Sequence, residues 1–222
     1  VWGPEPDEIA NRLGWLDSPR VMMDEISAMQ AFVSQAREAG FTHALLLGMG
    51  GSSLAPEVFR QVFGVADGFI DVRVLDSTDP TAVLAAFAAS APSTTLYIPA
   101  TKSGGTVETL SFLKAAYRRA AADLGRDPGD HFVAITDPGS GLADLAQELS
   151  FRHIFLNDPD IGGRYSALSM FGLVPAALCG IDIGVLLVSA QQALEELAEL
   201  TVQTPSVVMG ALLGVAAREG RD

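Results

Sequence analysis

Residues 100–110 read Ala-Thr-Lys-Ser-Gly-Gly-Thr-Val-Glu-Thr-Leu. Thr101, Ser103 and Thr106 offer hydroxyls, Lys102 a charge, and Gly104 and Gly105 a backbone that can approach a ligand closely. Lys102 is one of two lysines in the chain, the other being Lys114. The stretch follows the apolar run Leu96-Tyr97-Ile98-Pro99, and a helical pattern begins near Thr106 or Val107. A helix start presents unpaired amide N–H groups and a partial positive charge, so the chemistry on offer is anion binding. Ser, Thr and Gly are also ordinary turn and cap residues, and a loop lysine needs no ligand.

A second stretch of the same kind lies at residues 45–57, LLLGMGGSSLAPE. An apolar run again enters a glycine-rich turn, through Gly50, Gly51 and Ser52, and then a helix. Gly48 and Gly50 match the first two glycines of the dinucleotide fingerprint G-x-G-x-x-G, with Asp76 as the acid that would meet a ribose. Ser53 occupies the third glycine position, so the match is incomplete. Two anion sites on neighbouring strand-to-helix connections exceed what a dinucleotide needs and suit a small phosphorylated ligand. A third stretch, residues 160–173, reads DIGGRYSALSMFGL. There Gly162 and Gly163 precede Arg164, whose guanidinium keeps its charge at any working pH and could steady a negatively charged intermediate. Pairing with one of the 27 acidic residues is the plainer role for it.

These loops need a frame. Short apolar runs at 43–48, 71–76, 94–100, 131–136 and 152–157 read as strands, and 54–63, 80–90, 106–124 and 140–149 as helices between them. Such alternation predicts an α/β fold with a parallel sheet covered on both faces, ligands gathering at the carboxyl ends of the strands. The first forty residues read as helical, with a stripe through Met22, Met23, Ile26, Met29, Phe32 and Val33. Beyond residue 157 strands vanish, and helices are expected at 167–179, 183–200 and 205–219. The apolar run 171–190 imitates a membrane span, but Pro175 and the Gly180-Ile181-Asp182 break make it two helices, the second capped by Asp182. The organisation expected is a helical segment 1–40, a ligand-binding domain 41–160, and a helical segment 161–222 leading toward a further domain.

Composition narrows the partners. A formal net charge of −13 argues against nucleic acid and anionic membranes, and leaves local groups to attract any anionic ligand. The single cysteine, Cys179, excludes an internal disulfide and a cysteine-based zinc site and fits a reducing, cytoplasmic setting. No cofactor or metal is expected. The chain opens on Val1 without a leader-like segment, which reads as a processed or excised piece.

Together the three loops resemble the phosphoglucose isomerase family. The resemblance rests on Gly50-Gly51-Ser52, on Thr101-Lys102-Ser103-Gly104-Gly105-Thr106-Val107-Glu108 and on Gly162-Gly163-Arg164-Tyr165-Ser166, in that order. It implies a sugar isomerase (SIS) domain, a three-layer αβα sandwich around a five-stranded parallel sheet. It also implies interconversion of glucose 6-phosphate and fructose 6-phosphate through an enediol, in a cytoplasmic enzyme that is a homodimer at full length. By resemblance, Gly51, Ser52, Thr101, Ser103, Thr106 and Gly163 would bind the hexose phosphate, with the Lys102 backbone assisting, and Arg164 would stabilise the enediolate. Thr101 and Gly105 depart from the commoner residues at their positions, a variant similar to the isomerase half of transaldolase–isomerase fusions.

The family's glutamate base, ring-opening histidine and later lysine all follow the Gly-Gly-Arg-Tyr-Ser segment. After Arg164 this chain has no histidine or lysine, and Glu195, Glu196, Glu199 and Glu219 match no base motif. The base is therefore expected outside these 222 residues. Glu108 is the best local acid, and as an acid in a first helical turn with Gly105 as cap it has a structural reading too. His43, His131 and His153 stand at strand starts, where a structural role is expected. The alternative function is a non-catalytic SIS module that binds or senses sugar phosphate.

Overall fold

The computed structural model describes residues 9–199 and 201–221. The expected helical character of residues 1–8 lies outside these, as do residues 200 and 222. Five strands, β1 (His43–Gly48), β2 (Asp71–Leu75), β3 (Thr95–Ala100), β4 (Val133–Thr136) and β5 (His153–Leu156), form one parallel sheet in the order β2-β1-β3-β4-β5. The described helices are α1 (Ser18–Val21), α2 (Ile26–Glu38), α3 (Gly51–Phe63), α4 (Pro80–Ala88), α5 (Val107–Leu124), α6 (Gly141–Glu148), α7 (Met170–Leu178), α8 (Ile183–Ala198) and α9 (Pro205–Arg218).

Strand side chains alternate between two cores, as the two-residue period of a strand requires. Ala44 and Leu46 of β1 and Leu96, Ile98 and Ala100 of β3 join α2, α7 and the start of α8 on one face. Leu45, Leu47 and Tyr97 join α5 and α6 on the other. Covered on both faces, the central strands carry uninterrupted apolar runs, and each fully buried Leu or Ile contributes about 1.5–3 kcal/mol. Met29, Phe32 and Val33 of α2 and Leu173–Leu178 of α7 belong to the same core as the sheet.

The strand order sets the site. The chain runs from β1 out to β2, then crosses back to β3 on the other side of β1, leaving a crevice between the carboxyl ends of β1 and β3. Gly48 lies opposite Ala100, so the two strands end level and the loops after them leave the sheet side by side.

Several boundaries differ from the sequence reading. Helix α3 starts at Gly51, three residues early, because Gly50 at φ 57° lets the chain turn at once into the helix. Residues 10–16 are two 3-10 turns and not part of a helical stripe. Residues 163–168 form a 3-10 helix where a loop to 166 and a helix from 167 were expected, and extended Ser169, whose hydroxyl accepts from the Phe171 amide at 3.3 Å, separates it from α7. The apolar run 171–190 does divide into α7 and α8, with Asp182 accepting from the Val185 amide at 3.0 Å. Among the described residues no helix is long and apolar enough to cross a membrane.

Candidate functional site

The helices that follow the first four strands start in two different ways. At α4 the Asp79 carboxylate accepts from the amides of Thr81 and Ala82 at 2.9 and 3.0 Å, and at α6 the Ser140 hydroxyl accepts from Ala143 at 3.2 Å. At α3 and α5 the cap residues, Gly50 and Thr106, make no such side-chain bond. Gly50 has none to offer, and the Thr106 hydroxyl is bonded to the Thr101 hydroxyl at 2.7 Å. In α3 the Ser52 and Ser53 amides bond back to the Met49 and Gly50 carbonyls at 3.3 and 3.0 Å, so among the described residues it is the Gly51 amide and the first-turn amides of α5 that are left for another acceptor. Both helix starts flank the β1/β3 crevice, where a cavity of about 470 Å³ is lined by Gly51, Ser52, Thr101, Lys102, Ser103, Thr106, Asp137 and Gly163, among others.

Close backbone contacts hold the loops in register. A Cβ on Gly51 would sit 1.9 Å from the Gly163 carbonyl oxygen, so only glycine lets α3 begin against the third loop. Gly104 has φ 71°, and a Cβ there would meet the Leu142 amide at 2.7 Å, which seats the second loop on the start of α6. The Ser166 hydroxyl faces the carbonyls of both Gly163 and Gly51, at 2.7 and 3.1 Å, and links the first and third loops. From β4, the Thr136 hydroxyl donates to the Thr101 carbonyl at 2.7 Å.

A second cavity of about 620 Å³ adjoins the first, sharing Arg12, Gly51 and Gly163, and is lined also by Leu54, Gly162, Arg164 and Tyr165. Arg164 is exposed, and its guanidinium has no hydrogen-bond or ion-pair partner among the described residues. Lys102 differs: its ammonium donates to Asp137 Oδ2 and to the Pro159 carbonyl, the latter at 2.6 Å. Burial holds the Asp137 carboxyl above the ordinary carboxylate range, although Lys102 pulls the other way.

The structure thus brings Gly51, Ser52, Thr101, Lys102, Ser103, Thr106, Gly163 and Arg164 to one sheet edge. Glu108 lines neither cavity. The cap of α5 is Thr106 and not Gly105, which makes Glu108 the second helical residue and leaves no capping box. Asp76, the would-be ribose acid, accepts from the Ser53 hydroxyl at 3.3 Å. His43 and His153 lie at the opposite strand ends, and His131, in a 3-10 turn just before β4, bonds the Thr95 carbonyl at 3.3 Å and packs edge-on to Phe41.

Sequence reasoning missed Arg12, Asp137 and Ser166. Arg12 lines both cavities because residues 13–15 strap the third loop: Leu13 pairs with Ile161, the Gly14 amide donates to Asp160 at 3.0 Å, and Trp15 stacks on Tyr165 with centroids 5.4 Å apart. No local pattern signals that placement. Asp137 carried a signal, since an acid directly after a strand of a parallel sheet stands at the ligand edge. Ser166 carried one as part of the quoted Gly-Gly-Arg-Tyr-Ser segment.

The sequence profile described as phosphoglucose isomerase matches residues 13–219. This chain belongs to the phosphoglucose isomerase family. A glucose-6-phosphate isomerase from Thermosynechococcus vestitus is 42% identical over 154 residues, 68% of this chain and 29% of that protein. One from Thermus thermophilus is 34% identical over 190 residues, 85% of this chain and 44% of that protein. Among solved structures, a hypothetical protein from Thermus thermophilus superposes with a TM-score of 0.80 at 32% identity, over 94% of this chain and 49% of that one. A glucose-6-phosphate isomerase from Chlamydia trachomatis superposes at 0.73 with 27% identity, over 90% and 38%. The chain spans half or less of the length of these proteins.

Proposed function

We propose that this chain binds a hexose 6-phosphate and serves an aldose–ketose isomerase that interconverts glucose 6-phosphate and fructose 6-phosphate. One observation carries the reading: two helix starts without a side-chain bond from their cap residues converge on a hydroxyl-lined cavity, next to a cavity that holds Arg164, which has no partner among the described residues. The phosphate is the inert end of the sugar. The hydroxyls of Ser52, Thr101, Ser103 and Thr106 and the amides of the helix starts hold it, with the Lys102 backbone assisting, while Gly51 and Gly163 permit close approach.

With the phosphate fixed, the reacting carbons extend toward Arg164. Removal of the C2 proton of the open-chain aldose moves an electron pair into the C1–C2 bond and leaves negative charge on the carbonyl oxygen. A fixed guanidinium stabilises that oxygen more than the neutral carbonyl before it, and the difference accelerates the step. Return of the proton to C1, with transfer of the O2 proton to O1, gives the ketose. The base must lie within hydrogen-bond reach of that proton. We place it outside these 222 residues, since Glu195, Glu196, Glu199 and Glu219 lie in or just after α8 and α9 and Glu108 lines neither cavity. The full-length protein is read as a cytoplasmic homodimer.

Calorimetric titration with fructose 6-phosphate is expected to show binding to the purified chain, weakened about tenfold or more by Thr101→Val. A coupled assay is expected to find no isomerase turnover by the chain alone. Unchanged affinity in Thr101→Val would remove the phosphate cradle, and robust turnover would remove the external base.

A further inference from the structure

The Lys102 ammonium reaches two acceptors that belong to two other connections. Asp137 follows β4, and Pro159 lies between β5 and the Gly162-Gly163-Arg164 segment. The Asp137 amide donates back to the Lys102 carbonyl at 3.3 Å, so the second loop and the end of β4 are joined through backbone and side chain alike. Little of the pair is in solvent, with 26% of the Lys102 side chain and 13% of Asp137 exposed. A lysine whose charge is cancelled at contact distance adds little net field at a phosphate nearby, and one turned toward a carboxylate and a carbonyl has spent most of its donors. Its position between the anion-binding loop and the Arg164 loop is what remains to be used.

We propose that Lys102 is a positioning residue: by gripping Asp137 and the Pro159 carbonyl together, it sets the distance between the phosphate cradle and the Arg164 guanidinium. The inference rests on the hexose phosphate reading above. Inorganic phosphate occupies only the cradle, whereas a hexose phosphate must span from the cradle to Arg164. The two ligands therefore separate a grip that sets spacing from a charge that binds phosphate. The Thr101–Thr106 and Thr136–Thr101 hydrogen bonds do not pass through Lys102 and keep the cradle in shape without it.

The test is titration of inorganic phosphate and of fructose 6-phosphate into the chain and into Lys102→Met. Because Lys102→Met strands the Asp137 carboxylate, the double variant Lys102→Met/Asp137→Asn is measured in parallel and keeps the comparison when the single variant folds poorly. In both, fructose 6-phosphate is expected to weaken about tenfold or more and inorganic phosphate by no more than about threefold, since misplacing one end of a spanning ligand is costly. The fluorescence of Trp15, read in a Trp2→Phe background, should shift as Tyr165 moves with the third loop. Equal loss of both ligands would make Lys102 a phosphate ligand and overturn the proposal, as would no loss of either. If the unsubstituted chain binds neither ligand, the hexose phosphate reading itself fails, and the positioning role falls with it.

Discussion

Helices α4 and α6 close their own N-termini with a side chain, whereas the cap residues of α3 and α5 do not. All four follow strands of one sheet, so the fold alone does not explain the difference. Asp79 and Ser140 satisfy the first-turn amides from within. Gly50 has no side chain to do so, although its carbonyl takes the Ser53 amide at 3.0 Å, and Thr106 is turned toward Thr101. A side-chain cap is worth about 1 kcal/mol, and the two open helices forgo it on the two connections that border the crevice. An anion bound there, as proposed, would restore what they forgo.

Gly51→Ala should break this contrast most severely. Its Cβ would press on the Gly163 backbone, which cannot swing aside like a side chain, so α3 must lift off the third loop. We expect a loss of about 1–3 kcal/mol in urea unfolding together with loss of measurable sugar-phosphate binding. Thr106→Asp should convert α5 into a helix of the α4 kind. A carboxylate at the cap competes for the amides that await the anion, so phosphate affinity should fall about tenfold or more while the thermal midpoint holds or rises. Unchanged phosphate binding there would mean that the start of α5 is not the cradle. Asp79→Ala should act the other way, costing about 1 kcal/mol in stability with ligand titrations unaltered.

Much of this arrangement is legible in the sequence. The buried central strands have to be apolar throughout and end at turn residues, so β1 and β3 stand out within a residue of their observed limits. The three loops stand out because close backbone approach demands glycine, and anion binding demands hydroxyls and a helix start. Contacts between distant segments are not legible. Lys102 meets Asp137 across 35 residues and Ser166 meets Gly51 across 115, and neither spacing has a local periodicity to betray it. The 3-10 turns at residues 10–16 and 163–168 were missed for a related reason. They are shaped by each other, through the Leu13–Ile161 bridge and the Trp15–Tyr165 stack, and not by their own composition.

The strap formed by residues 13–15 has one more consequence. It is fastened to the third loop by the Leu13–Ile161 bridge, which includes the Gly14 amide bond, and by the Trp15–Tyr165 stack, whereas β1 is paired along its length on both sides. Segments fastened by so few bonds open without the rest of the molecule. The Gly14 amide should therefore trade its hydrogen for deuterium far sooner than the amides of β1. Because Arg12 beside it lines both cavities, ligand occupancy should slow that exchange, and a single backbone proton would report whether the site is filled.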